Sequence, residues 1–256
     1  MSTEKVAIIT GSSSGIGAAV ALKLAATGIR IVINYKNNES GAKEVLEKAK
    51  TMGSEAILVQ ADISDDMDCR KMVEQTIQKW QRVDYLVNNA GVSKFVKHAD
   101  LEELNSHDFH QIYAVNVVGA YQMIRAVVPH MRKLGRGSIV NISSVAGTLA
   151  IGSSIAYAAS KAALNNMTQS LARALAPEIQ INAICPGFVS TRWFKNALGE
   201  EGYNKKITEI ETKMPLKVAS NAEDIAETVV YFLVANHHVT GELLQVDAGM
   251  HLLVAN

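Results

Sequence analysis

The chain has 256 residues, with 25 basic against 25 acidic side chains and 48% apolar residues, enough for the core of one globular domain with no formal net charge. That balance excludes a protein built around phosphate-backbone contacts, so nucleic acid is not expected as a partner. No run of about 18 uncharged apolar residues exists, which excludes a membrane-spanning helix.

Short Val/Ile-rich runs alternate with longer amphipathic stretches along the chain. The runs are residues 6–9, 29–34, 56–60, 83–87, 137–142, 179–184 and 243–246. The helical stretches are 16–27, 40–52, 67–80, 109–134, 156–176 and 222–235. The runs do not alternate with polar residues, as befits strands covered on both faces. The pattern predicts an α/β protein with a Rossmann-like, doubly wound parallel sheet of about seven strands and helices on both faces. No linker or repeat divides residues 1–256, so a single domain is expected. Right-handed crossovers would align the strand C-terminal ends on one edge, where ligands bind.

Cys69 and Cys185 stand far apart, with no thiol or histidine at ligand spacing, and the seven histidines have no partnered spacing either. Free thiols in a reducing compartment and no metal site are expected. The first apolar run passes straight into Thr10-Gly11, too short for a signal peptide, so a cytoplasmic location is expected.

The first run ends in Thr10-Gly11-Ser12-Ser13-Ser14-Gly15-Ile16-Gly17. Between a strand and a helix, such a turn lets a pyrophosphate approach the main chain and meet free N–H groups at the helix start. The second run ends in Asn34-Tyr35-Lys36, with no carboxylate to bind an adenosine ribose and repel a 2′-phosphate. This favours NADP(H) over NAD(H), although Lys36 also fits a solvated surface lysine. Glu39 is expected to begin or cap a helix. Asp62 fits either an acceptor for the adenine amino group or a helix N-cap.

Tyr157 and Lys161 lie four apart at the start of a helical stretch, so both project from one face. A nearby ammonium lowers a phenol toward the range where it works as acid or base. The pair alone also fits a packed tyrosine beside a solvated lysine. The fifth run ends in Ser143-Ser144, hydroxyls at the ligand edge that also fit turn residues.

In these motifs, together with Asn88-Asn89-Ala90-Gly91, Asn116 and Pro186-Gly187, the chain resembles the short-chain dehydrogenase/reductase family over almost its whole length. The resemblance implies a catalytic set of Ser144, Tyr157, Lys161 and Asn116. Tyr157 would exchange a proton with the substrate oxygen, Ser144 would bind that oxygen, and Lys161 would hold the nicotinamide ribose and lower Tyr157. Asn116 would hold a water in a relay to Lys161; it also fits an asparagine that bends a helix. The cofactor set is Gly11, Ser13, Ser14, Gly15, Ile16, Gly17, Asn34, Tyr35, Lys36, Asp62, Ile63, Asn89, Ala90, Gly91, Tyr157, Lys161, Pro186, Gly187, Val189 and Thr191. Residues at about 190–215 would form a substrate lid, and Ala150, Ile151, Gly152, Ser153, Trp193 and Phe194 a partly apolar pocket wall. The implied substrate is a small-molecule carbonyl or alcohol, and the implied assembly a homo-tetramer or homo-dimer. Besides dehydration or epimerisation at the same site, two alternatives stay open. One is reduction of 3-oxoacyl groups on acyl carrier protein, for which Arg132, Lys133 and Arg136 form a small basic cluster. The other is an NADP-binding sensor or scaffold without turnover.

Overall fold

The apolar runs form seven strands: β1 (Val6–Ile9), β2 (Arg30–Tyr35), β3 (Ala56–Gln60), β4 (Tyr85–Asn88), β5 (Gly137–Ile142), β6 (Ile179–Pro186) and β7 (Leu243–Val246). They belong to a computed structural model that describes residues 5–235 and 237–253. The two ends of the expected 1–256 domain, residues 1–4 and 254–256, lie outside the described residues, as does residue 236. The strands make one sheet in the order β3-β2-β1-β4-β5-β6-β7, every pair parallel. The order reverses between β1 and β4, so the loops after these strands part and leave a crevice at their C-terminal ends.

Side-chain alternation along the strands builds a core on each face of the sheet. Ala7 and Ile9 of β1 face α1 (Gly15–Ala25), α2 (Glu39–Thr51) and, later in the chain, residues 222–230. Val6 and Ile8 face α3 (Asp66–Trp80) and the helices that follow β4 and β5. Each fully buried Ile, Leu or Val contributes about 1.5–3 kcal/mol relative to an exposed one, so this two-sided burial is the main force holding the layers. α2 begins at Glu39 as expected, capped by Asn38, whose side chain accepts from Gly41 N.

The stretch read as one helix over 109–134 is divided. α4 (Ser106–Tyr113) starts at an Asn105/Asp108 capping box, and α5 (Ala120–Lys133) buries Met123, Ile124, Val127 and Met131 against the sheet. Between them Ala114–Gly119 forms a π-helical turn. A Cβ on Gly119 would lie 2.8 Å from Ile63, so glycine lets this turn meet the end of β3. Next come α6 (Ala146–Leu149) and the long α7 (Ile155–Leu175), whose N-cap Ser154 accepts from Tyr157 N. The expected lid region is a helix, α8 (Arg192–Lys213), kinked at Gly199, where φ is 70° and ψ is 172°. α9 (Ala222–Val230) closes the first face. No helix among the described residues is long and apolar enough to cross a membrane.

Candidate active site

The loop after β1 is pinned from three sides. Thr10 Oγ1 accepts from Asn89 N (2.9 Å) and Ala90 N (3.0 Å), and Asn89 Nδ2 donates to the carbonyls of Thr10 (2.9 Å) and Gly11 (3.1 Å). Gly11 sits at φ +61°, where a Cβ would lie 2.9 Å from Ala90 Cα, so no other residue fits without moving β4's loop. Gly15, at φ +57°, faces open space; only the Thr191 methyl would come near its Cβ, at 3.9 Å. Ser14 caps α1 without a side-chain bond to its first turn, leaving N–H groups turned to the crevice. This open, donor-lined cradle fits an anionic pyrophosphate. Gly17 stays off the cleft surface: a Cβ there would overlap the Asn89 amide and stand 2.7 Å from the Gly11 carbonyl. Its part is close packing.

Asn34 lines the cleft, and its amide is also committed within the fold. Its Oδ1 accepts from Gly11 N (2.9 Å), and its Nδ2 donates to the carbonyls of Val59 (3.3 Å) and Ala61 (3.1 Å). The side chain thus ties the glycine loop to β2 and β3, because its buried amide must be satisfied within the fold. Lys36 is exposed and paired with Asp62 Oδ2 at 2.5 Å. Asp62 Oδ1 accepts from Ser64 N (3.0 Å) and Oγ (2.7 Å), while Asp65 caps α3. Asp62 is therefore not the helix cap. Partial burial works to raise its carboxyl, but the hydrogen bonds from Lys36 and Ser64 outweigh it and hold it below the usual range.

At the end of β5 the two serines separate in role. Ser143 Oγ donates to the Lys161 carbonyl (3.3 Å), whereas Ser144 Oγ accepts from Ala146 N (3.1 Å) and lines the cleft beside Tyr157. Lys161, 4% exposed, donates from Nζ to the Ile142 carbonyl (2.8 Å) and stands 5.6 Å from the Tyr157 ring centroid. Burial pushes the Tyr157 phenol up to about 12, with the neighbouring Ser144 hydroxyl acting against it. Burial also pulls Lys161 down to about 8. The expected lowering of the phenol by the ammonium is not met in this geometry, because desolvation of both groups is the larger effect. At neutral pH Tyr157 holds its proton.

Asn116, 1% exposed, stands behind Gly91 rather than on the cleft surface. Its Oδ1 accepts from Val92 N (2.8 Å), and its Nδ2 donates to Val92 O (3.0 Å) and Ser160 Oγ (3.0 Å). It joins the loop after β4 to the residue preceding Lys161. The π-helical turn that carries it agrees with an asparagine that distorts its helix.

A cleft of about 890 Å³ runs along this edge of the sheet. Every residue of the expected cofactor set except Gly17 lines it, as do Ser144, Tyr157 and Lys161. Of the expected pocket wall, Ile151, Gly152, Ser153, Trp193 and Phe194 line it and Ala150 does not; Ala150 adopts a left-handed conformation (φ 54°) and turns outward. Phe95, Phe188, Leu198 and Met250 also line the cleft, and sequence reasoning missed them. Only Phe188 carried a signal, as the residue directly after Pro186-Gly187. Both cysteines are buried free thiols, as expected.

Residues 11–251 match the family described as Enoyl-(Acyl carrier protein) reductase. A protein assigned as ketoacyl reductase 2 of the granaticin polyketide synthase of Streptomyces violaceoruber is 38% identical over 97% of this chain and 96% of its own. A 3-oxoacyl-[acyl-carrier-protein] reductase of Synechocystis sp. is 34% identical over 97% of both chains. Among solved structures, a Burkholderia xenovorans protein described as a short-chain dehydrogenase/reductase superposes with a TM-score of 0.91 at 36% identity, covering 98% of this chain and 100% of its own.

Proposed function

The chain belongs to the short-chain dehydrogenase/reductase family and is an oxidoreductase; from that premise we propose that it uses NADP(H) to interconvert a ketone and a secondary alcohol. The observation that carries this reading is that Ser144, Tyr157 and Lys161 line one cleft at the ligand edge, beside a cradle open to a pyrophosphate. When bound, the nicotinamide group supplies or accepts the hydride. Gly11, Gly15 and the first turn of α1 would hold its phosphates, Lys36 a 2′-phosphate, and Pro186, Gly187, Val189 and Thr191 its nicotinamide side.

Ser144 Oγ orients the substrate oxygen, and Tyr157 gives its hydroxyl proton to that oxygen as the carbonyl is reduced. A phenol that keeps its proton at neutral pH suits this direction. Lys161 supports Tyr157 from the β5 side, and Asn116 fixes the loop and helix that carry both. Exposed Val118 and Tyr121, at the start of α5, favour association of copies into a homo-dimer or homo-tetramer.

The names of the similar proteins favour a second reading, reduction of a 3-oxoacyl thioester on a carrier protein. A screen of ketones and 3-oxoacyl thioesters with NADPH and NADH, run beside Tyr157→Phe, tests both. The variant should lose turnover by about 10²–10⁴-fold with NADPH affinity retained. Unchanged turnover in the variant would overturn the assignment.

A further inference from the structure

Three of the five phenylalanines and one of the two tryptophans meet on the wall of the cleft beside Tyr157. Trp193 lies 5.8 Å from the Tyr157 ring and 5.5 Å from the Phe95 ring, centroid to centroid. Phe194 lies 5.1 Å from Trp193 and 4.7 Å from Phe188, which packs on Tyr203. The wall is braced from behind, yet its front is bare: Trp193 is 39% exposed, Phe95 37% and Ile151 42%. Large apolar side chains left bare at the mouth of a cleft mark a surface that a ligand covers.

Ser153 and Lys206 of the same wall are already engaged, and Arg192 stands exposed at its rim. Ser153 and Ser93 share a hydrogen bond of 2.6 Å, and Lys206 is paired with Glu209 at 2.9 Å. A polyol or small hydroxy acid needs several unspent donors and acceptors for recognition, since its hydroxyls lose water on entry. A flat apolar ring needs none, and edge-to-face or offset packing on Trp193 adds to its area burial.

Building on the reductase reading above, we propose that the substrate is a ketone conjugated to or fused with a flat ring system, its ring packed on Trp193 and Phe95 and its oxygen held by Ser144 and Tyr157. The reaction balances as ketone, NADPH and a proton giving a secondary alcohol and NADP+.

Turnover of 1-tetralone is compared with that of dihydroxyacetone and pyruvate, the latter an anion that Arg192 at the rim would favour. In parallel, 1-tetralone binding to NADP+-saturated protein is measured by equilibrium dialysis, where no reduction occurs. Wild type, Trp193→Ala and Trp193→Phe are assayed, the last keeping an aromatic face should the alanine variant fold poorly. Tetralone should be the best of the three substrates. Trp193→Ala should weaken its KM and its dialysis Kd by about tenfold, and Trp193→Phe should restore most of both. Equal or better turnover of dihydroxyacetone or pyruvate, or a tetralone Kd indifferent to Trp193→Ala, overturns the proposal while leaving a reductase. Trp193-dependent tetralone binding with no ketone reduced by either cofactor upholds the aromatic site and overturns the reductase reading.

Discussion

Lys161 Nζ stands 5.6 Å from the ring centroid of Tyr157, yet gives its hydrogen bond to the Ile142 carbonyl, so the site's ammonium is anchored to a strand end rather than to the phenol. The two groups share a desolvated space in which each resists its charged form.

That burial has a measurable sign. Lys161 titrates near 8 when folded and near 10.5 when free, so between those values the unfolded chain holds the extra proton. Stability from this group therefore rises with pH from about 8 to 10.5, and the cost of the buried ammonium is fully present below 8. Cys185, raised to about 11 from 9.0 by burial, acts in the opposite sense. Subtracting a Lys161→Met variant, which keeps Cys185, isolates the lysine. Guanidinium unfolding of both proteins across pH 7 to 10.5 should show wild type gaining on the variant as pH rises; a constant difference would refute the assigned burial.

Ser143 and Ser144 are adjacent but should behave unlike each other. Ser144→Ala removes a donor to the substrate oxygen and should lower kcat by about 10²–10³-fold. Ser143→Ala removes one hydrogen bond to the Lys161 carbonyl. It should cost about 1 kcal/mol of stability, with kcat within tenfold of wild type. Steady-state kinetics beside thermal melts separate the two.

Gly17→Ala should destabilise the fold through overpacking, by about 1–3 kcal/mol, because the new methyl meets Asn89 and the Gly11 carbonyl. Since Asn89 also braces the phosphate cradle, NADPH affinity should fall together with Tm. A melt shifted with NADPH binding intact would separate packing from binding at this position.

Lys36→Ala should lower the preference for NADPH over NADH by about tenfold, the low end for a hydrogen bond to a charged group, because Lys36 is solvent-exposed and shared with Asp62. The ratio of Kd values for the two cofactors is the readout. The preference of wild type should weaken in high salt; that of the variant should be insensitive to it.

Most of the frame was legible in the sequence. The runs at β1, β3, β5 and β7 have the expected ends, and the glycine turn, Ser144, Tyr157 and Lys161 meet at one edge as their positions after strands required. Strands buried on both faces leave an unambiguous apolar run. Phe95 was not legible, because it lies in an irregular segment whose course is set by tertiary bonds. Lys94 is held by Asp108 and the Glu103 carbonyl, and Val96 N donates to Ser153 O. The double duty of Asn34 was hidden for the same reason: its partners at Gly11, Val59 and Ala61 come from two separate segments, the loop after β1 and the end of β3.

The turn at Ala114–Gly119 bonds each N–H one residue farther back than its flanking helices do. Each residue of a regular helix advances the chain by about 100°. Were these same residues to tighten into an unbroken helix, α5 would spin by roughly that angle relative to α4. Met123, Ile124, Val127 and Met131 would leave the sheet, and Asn116 would lose both Val92 and Ser160. The wide turn is thus a shared constraint on the core and on the chemistry: its extra residue keeps α5 in register with α4 while aiming Asn116 at Val92 and Ser160.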